Sequence, residues 1–196
     1  MVNGQIKSRK RVTEYGEVFT NEREVNAMLD LVKEEVDSIT CTFLEPACGN
    51  GNFLVEILQR KLTTVEKLYG NDSLLFRNHM IEAVCSIYGV DIQEDNVKEG
   101  RLRLISVCKD KYFDVCGKNA SAGLLKALSC ILERNIICGN TLTGLDNKGL
   151  PLKFSEWKLN EDGMFERKDY LFSDIIDNKP SSIQKRAHKY NWTEAA

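Results

Sequence analysis

A short run, Phe43–Phe53 (FLEPACGNGNF), constrains the fold of this 196-residue chain more than any other feature. It begins as an apolar strand, carries the carboxylate of Glu45 where that strand should end, and turns through two glycines into a helical pattern. Gly49 and Gly51 let the backbone turn sharply and approach a ligand, because neither has a Cβ atom. The start of the helix behind them offers free backbone N–H groups to an anion. This arrangement suits a nucleoside cofactor at the carboxyl end of the strands of an open α/β sheet, although an ordinary strand–helix turn would also contain such glycines.

The same run argues against a dinucleotide cofactor. In dinucleotide-binding loops the third fingerprint position is Gly or Ala, and here that position, three residues beyond Gly51, is Leu54. A carboxylate directly before the loop repels a pyrophosphate but pairs well with an ammonium group. A cofactor with a zwitterionic amino-acid portion therefore fits better.

The segment Glu45–Phe53 resembles the first S-adenosylmethionine-binding motif of the N6-adenine DNA methyltransferases, above all the modification subunits of bacterial restriction systems. In that family the backbone of this loop holds the methionine part of the cofactor. The resemblance implies that S-adenosyl-L-methionine is the cofactor and that Glu45, Ala47, Gly49 and Gly51 lie in its site.

An amphipathic helical pattern precedes the glycine run, and Thr20 or Asn21 can cap its N-terminus. In the resembled family a Phe-Thr pair before this helix is a further cofactor motif, which closes over the methionine end. The resemblance therefore adds Phe19 and Thr20 to the site. We expect residues 1–40 to form an N-terminal helical segment that closes over the cofactor.

The next buried strand pattern, Ser86–Ile92, ends in a second acid, Asp91. A carboxylate at this place can accept hydrogen bonds from both hydroxyls of a ribose. In dinucleotide folds such an acid follows the glycines by about 20 residues, and here a helical pattern at about 74–87 intervenes, which the resembled methyltransferases accommodate. The resemblance places Asp91 on the ribose and Ile92 against the adenine.

A third strand pattern, Asn135–Cys138, leads into Asn140 and Leu142, which we add to the expected site. The resembled family has Asp where Asn140 stands, and that Asp accepts a hydrogen bond from the adenine amino group. Asn keeps one carbonyl oxygen for the role, whereas a turn-forming Asn after a strand is the alternative. Residues 41–150 are thus expected to form an S-adenosylmethionine-binding α/β core, a class I methyltransferase (Rossmann-like) three-layer sandwich with a mostly parallel sheet.

From Leu152 onwards aromatic and charged residues alternate on both sides of Asp162-Gly163, which predicts a β-hairpin. Its aromatic face is expected to pack, and stacking on single-stranded bases is the second use of such a face. The stretch Lys179–Trp192 is basic, has little apolar periodicity, and is predicted to be mobile or to form an edge. Residues 151–196 are therefore interpreted as a hairpin and a basic tail in which the catalytic region is cut short.

The catalytic motif of the resembled family, Asn/Asp-Pro-Pro-Tyr/Phe after the fourth strand, does not occur in the sequence. In the family this tetrapeptide holds a flipped adenine. The nearest match, Asp174–Ser181, has a short apolar strand pattern, Asn178 and one proline, but Lys179 and Ser181 replace the second proline and the aromatic ring. The catalytic residues are therefore unknown, the sheet is expected to be incomplete, and the isolated chain is predicted to be inactive on DNA.

Composition limits the partners and the compartment. With a net charge of −2, contact with DNA must rest on a local patch or on partner sequence. No apolar run approaches the roughly 20 residues that span a bilayer, so no membrane is expected. Seven cysteines without a CxxC pair predict no metal site and favour the reducing cytoplasm.

The leading functional hypothesis is the S-adenosylmethionine-binding portion of a site-specific N6-adenine DNA methyltransferase of a restriction-modification system, with DNA and the subunits of that system as partners. One alternative is a non-catalytic binding module or partner subunit with a methyltransferase fold. Another is a methyltransferase that acts on RNA or on a protein glutamine. The Phe19-Thr20 pair upstream of the glycine loop favours the DNA class, because that order of motifs is common there.

Overall fold

The computed structural model describes residues 6–161, 163–177, 179 and 188–190. The helices are α1 (Arg9–Tyr15), α2 (Glu22–Asp30), α3 (Lys33–Asp37), α4 (Asn52–Tyr69), α5 (Ser73–Cys85), α6 (Glu94–Cys116), α7 (Ala122–Asn135) and α8 (Phe172–Ile176). The strands are β1 (Phe43–Glu45), β2 (Ile87–Asp91), β3 (Ile136–Asn140), β4 (Leu145–Asp146), β5 (Lys153–Leu159), β6 (Phe165–Leu171) and β7 (His188–Tyr190).

The main sheet has four strands in the order β1-β2-β3-β4. Strands β1, β2 and β3 run parallel, and the short β4 is antiparallel to β3. Glu45 pairs with Gly89 and Asp91 with Cys138, so the carboxyl ends of the three parallel strands lie side by side. The prediction of an α/β domain with a mostly parallel sheet is confirmed, and the arrangement is compatible with a Rossmann-like fold.

Apolar helix faces build the core around this sheet. One face of α4 is apolar and buried, and it contains Leu54, Ile57, Leu58 and Leu62. Helices α5 and α6 pack on α4, and α7 packs on α5 and α6, so that their apolar side chains form one main buried cluster. Helix α5 matches the helical pattern expected at about 74–87, and Asp72 and Ser121 cap the N-termini of α5 and α7.

The predicted hairpin is present as the antiparallel pair β5–β6. Its aromatic face packs as expected, since Phe154 and Phe165 are buried and β5 lies against α5 and α7. Strand β7 pairs with β6 and forms the edge of this second sheet. Gly163 has a left-handed φ of +76° in the turn, while Asp162 lies outside the described residues.

The prediction of a short strand at the start of the nearest match to the catalytic motif is wrong, because Phe172–Ile176 is the helix α8. The Phe172 backbone N–H donates to the Leu152 carbonyl oxygen at 2.9 Å, and its buried ring packs with Phe154. This anchor ends β6 and lets the chain turn into a helix. Asn178 and Ser181 lie outside the described residues.

In the part of the chain that the structure describes, no helix is both long enough and apolar enough to cross a membrane.

Candidate functional site

A cleft of about 550 Å³ lies at the carboxyl ends of β1, β2 and β3. It is lined by residues 15–20, by residues 45–53 without Gly51, by residues 91–93 and by residues 139–142. Its volume falls in the range of about 300–1,000 Å³ that is usual for small-molecule sites. Its position is the one where open α/β sheets bind their ligands.

The structure brings all the predicted site residues except one to this cleft, although they come from four separate stretches of the chain. Those that line it are Phe19, Thr20, Glu45, Ala47, Gly49, Asp91, Ile92, Asn140 and Leu142.

Gly51 does not line the cleft and instead forms the N-cap of α4, with a left-handed φ of +89°. A Cβ atom on it would lie 3.4 Å from the Cα atom of Gly100 in α6. Gly51 therefore forms the turn into α4 and allows α4 to pack closely against α6.

The first half of the glycine loop is held by backbone bonds and covered by an aromatic ring. The Cys48 N–H donates to the Val90 carbonyl oxygen at 2.9 Å, which ties the loop to β2. Gly49 has a φ of +53°, and a Cβ atom there would stand 3.0 Å from Cε1 of Phe19. The ring of Phe19 thus lies directly on the loop, and a Cβ atom at position 49 would crowd it.

Two side-chain bonds fasten the neighbouring segments to the loop. The Asn52 amide donates to the Thr20 carbonyl oxygen at 2.9 Å, which holds the stretch before α2. The Thr141 hydroxyl donates to the Pro46 carbonyl oxygen at 3.2 Å, which holds the stretch after β3. Glu45 is half-buried beside them, and its Oε1 accepts a bond from the Ala47 N–H at 3.3 Å.

Asp91 joins the end of β2 to the glycine loop. Its Oδ2 accepts from the Gly49 N–H at 2.9 Å, and its Oδ1 accepts from the Gln93 N–H at 2.8 Å and from Nδ2 of Asn96 at 3.2 Å. A carboxylate has about four acceptor positions. The carboxylate is thus oriented by the protein and keeps capacity for a ligand hydroxyl.

Cys48 lies close to Asp91 and Glu45, but its thiol is not activated as a nucleophile. Burial raises the pKa of its thiol far above the ordinary value, and the charges of Asp91 and Glu45 raise it further. The thiolate is the nucleophilic form of cysteine. At neutral pH Cys48 is therefore a buried, uncharged part of the loop.

Asn140 forms a turn with its own side chain. Its Oδ1 accepts from the Leu142 N–H at 2.8 Å, so the turn role considered from the sequence is present. The same oxygen also accepts a longer bond from the Thr143 N–H at 3.4 Å. Leu142 is 96% exposed and Ile92 is 45% exposed, so two apolar side chains stand open at the cleft.

Sequence reasoning missed a polar face of α6 that holds the loop from behind. Arg103 donates to the Asn50 carbonyl oxygen and to Oδ1 of Asn52, both at 2.8 Å. The Asn50 amide donates to Oε1 of Glu99 at 2.8 Å. Asp95, Glu99 and Arg103 follow one another at the i, i+4 spacing that puts them on one helix face, and this spacing was the available signal.

The stretch before the cleft, which we call the N-terminal arm (residues 7–20), is fastened to the same face of α6. Arg11 donates to Oδ2 of Asp95 at 2.6 Å and to Oε2 of Glu17 at 2.9 Å. Nζ of Lys7 lies 2.7 Å from Oε2 of Glu99. The hydrogen bond from Arg11 holds the pKa of Asp95 well below its usual range, so this pair stays charged at neutral pH.

Among the described residues no group of three or more His, Cys, Asp or Glu side chains is placed to hold a metal ion.

The chain is similar to a protein of Methanocaldococcus jannaschii that carries the provisional name of a type II restriction enzyme and methyltransferase. The two are 28% identical over 142 residues, which is 71% of this chain and 11% of the relative. The chain thus spans about a tenth of the length of the relative it matches. No family model matches the chain, and no solved structure matches it. The similarity supports a role related to restriction-modification methyltransferases.

Proposed function

We propose that the cleft binds S-adenosyl-L-methionine and that the chain is the cofactor-binding portion of a site-specific N6-adenine DNA methyltransferase of a restriction-modification system. One observation carries the proposal. The acid that ends β2, Asp91, meets the glycine loop that follows β1, through the Gly49 N–H at 2.9 Å, inside a cleft large enough for a nucleoside cofactor.

The residues present fit the chemical parts of this cofactor. Glu45 offers a carboxylate to the ammonium group, and charge-assisted bonds of this kind are the stronger ones. Asp91 offers its remaining acceptor position to a ribose hydroxyl. Ile92 and Leu142, both exposed at the cleft, offer apolar contact to the adenine, and Asn140 also lines the cleft.

The N-terminal arm supports the same assignment. Phe19 covers Gly49, and Thr20 is held by Asn52 of the loop. A bound cofactor would be enclosed between the arm and the loop, which excludes water from its amino-acid end.

S-adenosyl-L-methionine supplies an activated methyl group when it is bound. The acceptor amine must be held against that group, and the sequence contains no Asn-Pro-Pro-Tyr motif for this purpose. The cleft itself offers a neutral Cys48 and carboxylates that already accept hydrogen bonds. We therefore expect the chain to hold the cofactor and to methylate DNA only with further sequence or a partner subunit.

Calorimetry with the purified chain tests cofactor binding. We expect wild-type protein to bind S-adenosyl-L-methionine, and Asp91→Ala to bind it about 10- to 100-fold more weakly, because a hydrogen bond to a charged group contributes about 1.5–3 kcal/mol. Asp110→Ala, which removes an exposed acid of α6 outside the cleft, serves as the matched control and should bind as wild type does. Absence of binding by the wild type would refute the cofactor site and leave a non-catalytic module or partner subunit.

A transfer assay with a radiolabelled methyl donor tests the second half of the proposal. The isolated chain should label neither duplex DNA nor RNA nor a glutamine-containing peptide. Labelling of duplex DNA would show that the acceptor is held by residues of this chain, and labelling of RNA or peptide would change the substrate class.

A further inference from the structure

Asn96 of α6 is a buried polar residue that contacts two separate parts of the proposed site. It is 1% exposed. Its Nδ2 donates to Oδ1 of Asp91 at 3.2 Å and to Oε2 of Glu17 at 2.9 Å. Its Oδ1 accepts from Nζ of Lys7 at 2.7 Å. The Asn96 carboxamide thus connects Asp91, at the end of β2, with Lys7 and Glu17 of the N-terminal arm.

The two carboxylates need this donor. Asp91 and Glu17 approach the same nitrogen atom, and two negative charges at such a distance repel each other. An amide nitrogen carries two hydrogens, which is one for each carboxylate oxygen. Asn96 therefore satisfies both acids without adding charge.

The position of Glu17 depends on the donors that bond to its Oε2. That oxygen accepts from Arg11 and from Asn96, whereas Oε1 is buried and has no hydrogen-bond partner within the described part of the chain. A buried acceptor without a partner costs free energy. The place of Glu17, and with it the arm, is thus set by Arg11 and Asn96.

We propose that Asn96 is a positioning residue: it orients the Asp91 carboxylate for a ribose diol and couples that carboxylate to closure of the N-terminal arm. The inference rests on the proposed function, because Asp91 is positioned here for a ligand that carries a ribose. Asn96 itself does not line the cleft, so its effect on a ligand passes through Asp91 and the arm.

The substitution Asn96→Asp tests this role with almost no change of shape. It keeps the oxygen that accepts from Lys7 and removes both donated bonds. It also adds a negative charge to a cluster that contains two cations, Lys7 and Arg11, and four carboxylates, which are Glu17, Asp91, Asp95 and Glu99.

We expect Asn96→Asp to weaken binding of S-adenosyl-L-methionine by about tenfold or more at about pH 8, since the crowded carboxylates repel one another. Affinity should recover as the pH falls to about 6, because a proton shared by the cluster restores a donor between the carboxylates. The wild type should show no such recovery. A residue that only supported the fold would not produce this pH profile.

Two variants serve as controls. Asn78→Asp places a carboxylate at another buried asparagine, in α5 and away from the cleft, and its folded fraction should bind as wild type does. Asn96→Ser adds no charge and leaves a hydroxyl too short to reach both acids. It should weaken binding at every pH, and it keeps the test decisive if Asn96→Asp does not fold.

Limited proteolysis with trypsin measures whether cofactor binding closes the N-terminal arm. The arm contains four residues after which trypsin cleaves, Lys7, Arg9, Lys10 and Arg11. S-adenosyl-L-methionine should slow cleavage there in the wild type, and a saturating amount should protect Asn96→Ser less. If the wild type binds the cofactor and folded Asn96 variants bind and protect equally well, the positioning role is overturned while the proposed function stands. If the wild type does not bind the cofactor, both are overturned.

Discussion

The backbone N–H of Gly49 donates to Oδ2 of Asp91 at 2.9 Å, although the two residues are 42 positions apart in the chain. They meet because β1 and β2 pair in parallel, with Glu45 opposite Gly89. The loop after one strand and the acid at the end of the next therefore reach the same edge of the sheet. This bond orients the loop amide and the carboxylate towards one cleft before any ligand arrives.

Gly49 should be the least replaceable glycine of the loop. In Gly49→Ala the left-handed φ costs about 1 kcal/mol, and the new methyl group meets the Phe19 ring at 3.0 Å. We expect a loss of about 2 kcal/mol in the free energy of unfolding, measured with urea, together with weaker cofactor binding.

Gly117→Ala is the matched control for Gly49→Ala. Gly117 has a similar φ of +65°, but a Cβ atom there meets nothing within 4 Å. This variant should lose only the cost of the left-handed backbone conformation, about 1 kcal/mol in the free energy of unfolding. It should bind the cofactor normally. Equal losses in the two variants would show that Phe19 does not press on the loop.

Lys61 should titrate far below other lysines. Its side chain is fully buried, and Nζ donates to the carbonyl oxygens of Ser38 at 2.5 Å and of Cys41 at 2.7 Å. Burial lowers its pKa to about 8 from the ordinary 10.5. An NMR titration of ¹³C-labelled lysine should show one signal with its midpoint near this value, and that signal should be missing from Lys61→Met.

The sign of the accompanying stability change follows from proton counting. Between about pH 8 and 10.5 the unfolded chain keeps the Lys61 proton that the folded chain has released. The free energy of unfolding therefore rises with pH across this window, relative to Lys61→Met. Lys109→Met, at an exposed lysine, should show no such difference, and a flat comparison for Lys61 would contradict the shift.

The parts of the site that the sequence predicts are those with local signals. A glycine loop and an acid at a strand end can each be recognised alone, and parallel pairing then brings Gly49 and Asp91 together. Gly51 could not be assigned in this way, because a glycine needed for helix packing looks the same as one needed for a ligand. Its partner, Gly100, lies in another helix.

Contacts between distant segments explain the other differences. Arg11 and Asp95 are 84 positions apart, and the residues next to each of them in the sequence do not predict that they pair. Ile175 and Ile176 lie in the strand pattern of Asp174–Ser181, and β-branched residues in general favour strands. Both are exposed in α8, and the buried Phe172 determines the local structure instead.

Asn135 should link the hairpin to the α/β core. It is fully buried, its Nδ2 donates to the Cys85 and Ile87 carbonyl oxygens at 3.2 Å, and its Oδ1 accepts from Nε1 of Trp157 at 3.0 Å. Asn135→Ala removes three buried hydrogen bonds and should cost about 3 kcal/mol in the free energy of unfolding.

A double-mutant cycle with Trp157→Phe isolates the bond between the hairpin and the core. Trp157→Phe alone should cost about 1 kcal/mol, and the two substitutions together should cost less than their sum by a similar amount. Strict additivity in urea unfolding would show that Asn135 and Trp157 are not coupled.

Arg11 should contribute to cofactor affinity through charge. Arg11→Gln removes the bonds to Glu17 and Asp95 that fasten the arm. Because Asp95 is largely exposed, we expect the substitution to cost only about 1 kcal/mol of binding free energy. This corresponds to a roughly fivefold weaker affinity for S-adenosyl-L-methionine at low salt, and the difference should be smaller at high salt. Arg9→Gln removes an exposed charge of the same helix and should leave affinity unchanged.

The pH dependence of the Arg11 effect distinguishes it from the effect of Asn96→Asp. Arg11 holds the pKa of Asp95 well below its usual value, so the contribution of this pair is present above about pH 4 and is lost only as the pH falls through the lowered pKa. The affinity ratio of wild type to Arg11→Gln should therefore stay constant from about pH 6 to 8, where the ratio for Asn96→Asp changes. A ratio for Arg11→Gln that changes in this range would mean that a group other than Asp95 fastens the arm.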